Sequence, residues 1–150
     1  MTKNPRTLFG VIALVVAAAT PVFAQQPAAG RVKLASGSAS IVRASGTLPA
    51  KVGDVVYESD VLRTGADGKV GITLKDDTRV SLGPSSEVRL DKFVYSPAQG
   101  NLALALKFVH GVAAYVSGRI AKLSPDAVRL ETPAAIVGVR GTTLAIRSLE

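Results

Sequence analysis

The chain has 150 residues, with 18 Lys and Arg against 11 Asp and Glu for a net charge of +7, one His, no Cys and no Trp. That length fits one domain, and a 47% share of hydrophobic residues is enough for a packed core, which sets aside a disordered chain. Zero Cys excludes a disulfide framework, and with a single His it leaves zinc without a ligand set.

The N-terminal segment comes first in chain order. Lys3 and Arg6 precede an apolar run from Leu8 to Ala19, and Val22-Phe23-Ala24 supplies small residues at the end. A charged start, a short apolar run and a small-residue end form the pattern of a secretory signal peptide, here residues 1–24 with cleavage after Ala24. The run is shorter than the ~20 apolar residues that span a bilayer, and Pro21 interrupts its end. The expected mature chain, 25–150, keeps 16 basic against 11 acidic residues. It has no further apolar run able to cross a membrane, so it is expected in the periplasm or another extracytoplasmic compartment. Residues 25–30, with Pro27, read as a linker, and 31–150 as the domain.

Beyond the linker the dominant signal is alternation of apolar and polar residues, which marks half-buried strands. Val52 to Tyr57 holds a short apolar run, and Val61-Leu62 leads to Thr64 and Gly65. Val70, Ile72 and Leu74 alternate with polar partners, as do Val80 with Leu82 and Val88 with Leu90. Asp67-Gly68 favours a positive-φ hairpin turn, Asp76-Asp77 predicts another turn, and Gly83-Pro84-Ser85-Ser86 breaks the chain. Between Leu102 and Val116 the alternation predicts two strands joined near His110-Gly111, with a helix as the competing reading because Ala103 and Ala105 are good helix formers. Ser124 to Ala127 fits a helical turn or a loop, and Ile136–Val139 and Thr142–Ile146 are the last two strands. Short strands every eight to ten residues predict an all-β fold of short stacked strands and hairpins, solenoid-like, with a β-sandwich as the alternative. Glycines at strand boundaries (Gly53, Gly65, Gly68, Gly83, Gly111 and Gly141) mark positive φ or close backbone approach.

No catalytic set assembles. His110 is the sole imidazole, no G-x-S-x-G elbow accompanies a serine, and His110 reads as a strand-end residue bonding to a loop. Asp54, Glu58, Asp60, Asp76 and Asp77 lack the spacing of a calcium loop, and no phosphate-binding glycine motif occurs. Neither a cofactor nor a metal is expected. The basic residues stand singly along strands with no interleaved aromatics, which speaks against nucleic acid.

The order of motifs resembles the periplasmic domain of FecR-type signalling proteins. Gly53-Asp54 followed by Val61-Leu62-Arg63-Thr64-Gly65 is similar to the family's opening. Gly68 to Leu82 is similar to its strand-turn-strand, with Asp77 where a Gly is usual after Asp76. Pro84, Ser86, Val88 and Leu90 resemble the next step, Gly111 to Val116 the following strand, and Thr132-Pro133 to Ile146 its most recognisable block, with Val139-Arg140-Gly141-Thr142 inside it. The resemblance covers roughly residues 30–146. It implies a β-rich module that is not an enzyme and that works by protein binding in envelope signalling. Its partners would be a transporter signalling domain or an anti-sigma regulator. Gly53, Asp54, Thr64, Asp76, Gly111, Thr132, Pro133, Arg140, Gly141 and Thr142 carry the motif and are expected to be structural. Only six residues precede the apolar run, which leaves no cytoplasmic sigma-binding domain. The chain stops soon after the Gly141-Thr142 strand, so the sequence is truncated, the module ends early, or a partner completes the sheet edge, with Thr142, Leu144 and Ile146 as the candidate edge strand. The competing reading is a structural envelope protein that binds peptidoglycan or another anionic polymer through its positive charge.

Overall fold

The computed structural model describes residues 19–21, 24–141 and 143–148. Most of the expected signal segment, and Thr142, lie outside the described residues. The strands are β1 (Ala28–Ser36), β2 (Ala39–Arg43), β3 (Gly46–Pro49), β4 (Val55–Tyr57), β5 (Val61–Thr64), β6 (Lys69–Leu74), β7 (Arg79–Leu82), β8 (Glu87–Ser96), β9 (Asn101–Val116), β10 (Val128–Glu131), β11 (Ile136–Gly138) and β12 (Thr143–Ser148). A five-residue helix, α1 (Arg119–Leu123), and single 3-10 turns at Pro97–Gln99 and Pro125–Ala127 complete the described elements. The chain is all-β, as its alternation predicts, and the strands form one sheet curled into a half-barrel. β1 begins at Ala28, inside the segment whose composition suggests a linker.

The sheet runs β3-β2-β5-β8-β9-β7-β6-β1-β4, and β10 and β12 also pair with β9. A strand has two edges, so β9 must divide its length among four partners. Its first half lies between β8 and the parallel strand β10, and its second half between β7 and β12. β9 is therefore the spine joining two limbs. The first limb is β4-β1-β6-β7-β9-β12, and the second is β3-β2-β5-β8-β9-β10-β11. The inward side chains of both limbs meet in one core, with Val32, Val70, Ile72, Val80 and Tyr115 from the first and Ile41, Leu62, Val88, Leu104, Leu106 and Leu130 from the second. Burial follows the expected period of two: Val70, Ile72 and Leu74 are inside, as are Val80 and Leu82.

Three local expectations are corrected. Leu102 to Val116 lies within one sixteen-residue strand, β9, and not in two joined by a turn. It bends at Gly111, whose φ of +91° lets the chain change direction without leaving the ladder. α1 was not expected, because five residues contain too little sequence to show a helical period. Gly68 has no positive φ. It is needed because the carbonyl of Ser38 packs against its Cα, where a Cβ would lie 2.9 Å from the Ser38 carbonyl carbon.

Candidate interaction edge

Three polar joints lock strands and turns of the sheet together. The first sits at the bend of β9. Thr64, 5% exposed, ends β5. Its hydroxyl donates to the carbonyl of Gly83 (2.7 Å) and accepts the N–H of Ser86 (2.9 Å), while its own N–H donates to the Ser86 carbonyl (2.9 Å). The Ser86 hydroxyl accepts the N–H of Val112 at 2.8 Å, one residue past the bend. His110 Nδ1 donates to the Ser85 carbonyl at 3.0 Å, the strand-to-loop bond expected from its position. The Pro84-Ser85-Ser86 loop thus plugs the gap that the bend opens in the ladder. Gly111 is what lets it fit: a Cβ there would lie 2.5 Å from the Ser85 carbonyl oxygen and 2.6 Å from Ser86 Cα.

The second joint is built on Asp76, which is fully buried. Its carboxylate accepts the Thr78 hydroxyl (2.7 Å) and the N–H groups of Thr78 and Ile120 (each 3.2 Å), and its carbonyl accepts the N–H of Arg119 (2.7 Å). A carboxylate 44 residues away in sequence therefore caps α1, satisfying donors that every helix start leaves open. Asp77 follows with φ +69°, which explains how an Asp can replace the family's usual Gly, since Asp is among the few residues that tolerate this region. The third joint is a bidentate pair between Arg43 on β2 and Asp60, at 2.8 and 3.0 Å, with Asp60 3% exposed. The hydrogen bond from Arg43 to Asp60 raises the guanidinium pKa above its ordinary value. Arg43 also stacks 4.9 Å over the Tyr57 ring and donates to the Val55 carbonyl, tying β2 to β4. Arg43 escapes sequence reasoning, since it lies 17 residues from its partner with no spacing to betray it, whereas Ser86 stands in the motif but its bonds to Thr64 and Val112 do not show in the sequence.

The motif residues themselves serve turns. Gly53 has φ +95°, Asp54 accepts the Lys51 N–H at 2.9 Å, and the Thr132 hydroxyl accepts the Ala135 N–H at 3.1 Å across Pro133. Gly141 has φ +53°. Arg140 and Gly141 stand between two open grooves. One, of about 560 Å³, is lined by Pro125, Asp126, Val128, Gly138, Val139 and Arg140; the other, of about 220 Å³, is lined by Val116, Ser117, Lys122, Gly141 and Thr143.

β12 follows this block. It pairs antiparallel with β9, from Thr143 opposite Val116 to Ser148 opposite Gly111, and among the described residues no strand covers its other side. Leu144 and Ile146 face inward and pack against the core, while Thr143, Ala145 and Arg147 are exposed. The candidate edge thus has its two apolar residues on the core side and its backbone on the rim. The other terminal strands of the sheet are shorter: β3 has four residues and ends at Pro49, and β4 and β11 have three each. Among the described residues no group of three or more His, Cys, Asp or Glu is placed to hold a metal, and no helix is long and apolar enough to cross a membrane.

The architecture defines a class of protein: an all-β module whose buried polar groups serve to lock strands and turns together. Within that class the chain belongs to the FecR protein family, whose family model, described as FecR protein, matches residues 60–150. This is a family of signalling and regulatory proteins. The match opens at Asp60, the buried partner of Arg43, and takes in the other two joints and β12. β1 to β4 precede it, yet β1 lies between β6 and β4 inside the sheet. No curated protein and no solved structure matches the chain.

Proposed function

We propose that this chain is a non-catalytic module of extracytoplasmic signalling, held in the periplasm, that docks a partner protein by strand addition along β12. One observation carries the reading: a terminal strand of the described sheet, six residues without proline and open on one side, lies inside the stretch that the family model matches. An exposed strand edge presents a row of unpaired N–H and C=O groups, which an extended segment of another chain can complete. Natural sheets usually blunt such edges with proline, bulges or brevity, and the β3, β4 and β11 edges are short in that manner. The partner that the family suggests is a transporter signalling domain or an anti-sigma regulator. In this reading Leu144 and Ile146 set the register of the docking strand from the core side, and Thr142, the remaining candidate, lies outside the described residues.

The test is cross-linking from envelope extract at high salt, because backbone pairing survives ionic screening that removes contacts between exposed charges. Photo-cross-linkers placed singly at Thr143 and Ala145 should capture one and the same envelope protein, and a cross-linker at Thr47 on the β3 edge should not. Capture of that protein from Thr47 alone, or of no protein from either β12 position, rejects the reading.

A further inference from the structure

The two limbs differ in whether acidic residues stand among the basic ones on their strands. The strands of the second limb carry Arg63, Arg89 and Lys107 beside Glu87, Asp91 and Glu131, and these pair: Arg63 with Glu87 at 2.9 Å, Arg89 with Asp91, and Lys107 with Glu131 at 3.9 Å, while Lys92 and Arg129 stand exposed among them. The strands of the first limb (β1, β4, β6, β7, β12 and the second half of β9) contain no Asp or Glu at all. They present Arg31, Lys33, Lys69, Arg79 and Arg147, all exposed, and among the described residues none of these forms an ion pair. Arg31 donates only to the Gly53 carbonyl, at 2.9 Å. The acidic residues of the adjoining turns are engaged elsewhere: Asp54 with the Lys51 N–H, Asp67 with the Ser38 N–H, and Asp77 with Arg119.

The ladder register orders these charges. Arg31, Thr73, Arg79, Val116 and Thr143 lie opposite one another across β1, β6, β7, β9 and β12. Four residues further along β6 and β12, Lys69 and Arg147 mark a second basic row. Between the rows run Leu34, Gly71, Ser81, Ala114 and Ala145, again in register, uncharged and mostly small. Strand spacing makes this channel about 19 Å long, and residue rise sets its basic banks about 13 Å apart.

We propose that the outer face of the first limb is a docking surface for an acidic polysaccharide, a carboxylate-bearing chain lying across the strands between the two basic banks. Like-signed side chains without internal partners raise the local concentration of a counter-charged ligand. The rows flank the channel on both sides, so a linear polyanion reaches both at once. A bilayer is a poorer fit, because the exposed large apolar residues of these strands are Leu34 and Val112 alone, and the Tyr57 ring of β4 is stacked under Arg43. The surface reaches onto β12 through Arg147, so its test uses positions outside that strand and its failure is distinguishable from a failure of strand addition.

The probe is polygalacturonate, with dextran as the neutral polymer and phosphatidylglycerol vesicles as the anionic bilayer, each titrated with the purified 150-residue chain. The expected result is saturable binding to polygalacturonate, none to dextran, and weakening as salt rises. Lys69→Glu with Arg79→Glu should weaken it at least about tenfold, since each bank loses an attractive charge and gains a repulsive one. Lys92→Glu with Arg129→Glu changes net charge equally on the second limb and should weaken it less than about threefold. Circular dichroism of both variants establishes that they fold. Equal losses from the two pairs would show an effect of net charge alone and overturn the proposal. Binding to vesicles without binding to polygalacturonate, or to neither, also overturns it.

Discussion

Replacing Gly111 with alanine tests the bend that makes this fold possible. At φ +91° an L-residue is strained, a cost of roughly 1–2 kcal/mol. The added Cβ also overlaps the Ser86 hydroxyl and sits 2.5 Å from the Ser85 carbonyl oxygen and 2.6 Å from Ser86 Cα. Two of these are backbone atoms, so the Pro84-Ser85-Ser86 loop must move, and Thr64, Ser86 and Val112 lose alignment. Each buried group left without its partner costs about 1–3 kcal/mol, so the total is expected near 4 kcal/mol, a large fraction of the 5–15 kcal/mol typical of a domain. Gly100→Ala is the control. Gly100 has φ +70° with no atom within 4 Å of a Cβ, so it carries the backbone strain alone, about 1 kcal/mol. Urea denaturation of both variants measures the difference. If Gly111→Ala loses no more stability than Gly100→Ala, the loop does not plug the bend, and the account of β9 as a single bent spine is wrong.

Asp76→Ala strips acceptors from the N–H groups of Thr78 and Ile120 and should cost about 3 kcal/mol or more, whereas Asp76→Asn, which keeps one acceptor oxygen, should cost less. Equal midpoints for the two in denaturant would refute the capping role. Arg43→Met leaves the Asp60 carboxylate buried without its counter-charge and should destabilise by about 3–5 kcal/mol. Adding Asp60→Asn should recover part of that loss, and strict additivity in the double-mutant cycle would deny the coupling. Burial raises the Tyr115 phenol above its ordinary pKa. The unfolded chain therefore releases this proton first, and stability is full below about pH 10 and falls as pH rises through the folded value. Denaturation midpoints between pH 8 and pH 11 should fall more steeply for the parent chain than for Tyr115→Phe, and parallel curves would count against it.

The sequence by itself determined the fold class. Period-two alternation at Val70-Ile72-Leu74, Val80-Leu82 and Val88-Leu90 is a local consequence of strand geometry, and each of these residues is buried. The turn chemistry at Asp76-Asp77 and at Gly111 was visible because glycine and aspartate stand where a backbone needs unusual φ. The order of motifs was specific enough to point to the family. Tertiary structure alone decided that Leu102 to Val116 is one strand with four partners, since alternation cannot say which strand lies beside which. It also decided α1, whose capping carboxylate lies 44 residues upstream, and the pairing of Arg43 with Asp60. The separation of charge between the limbs has the same origin. Along the chain Arg79 and Arg89 look alike, and only the sheet order places one among unpaired basic residues and the other beside Asp91. Side-chain period is a property of neighbours in sequence, whereas strand partners and charge partners are properties of neighbours in space.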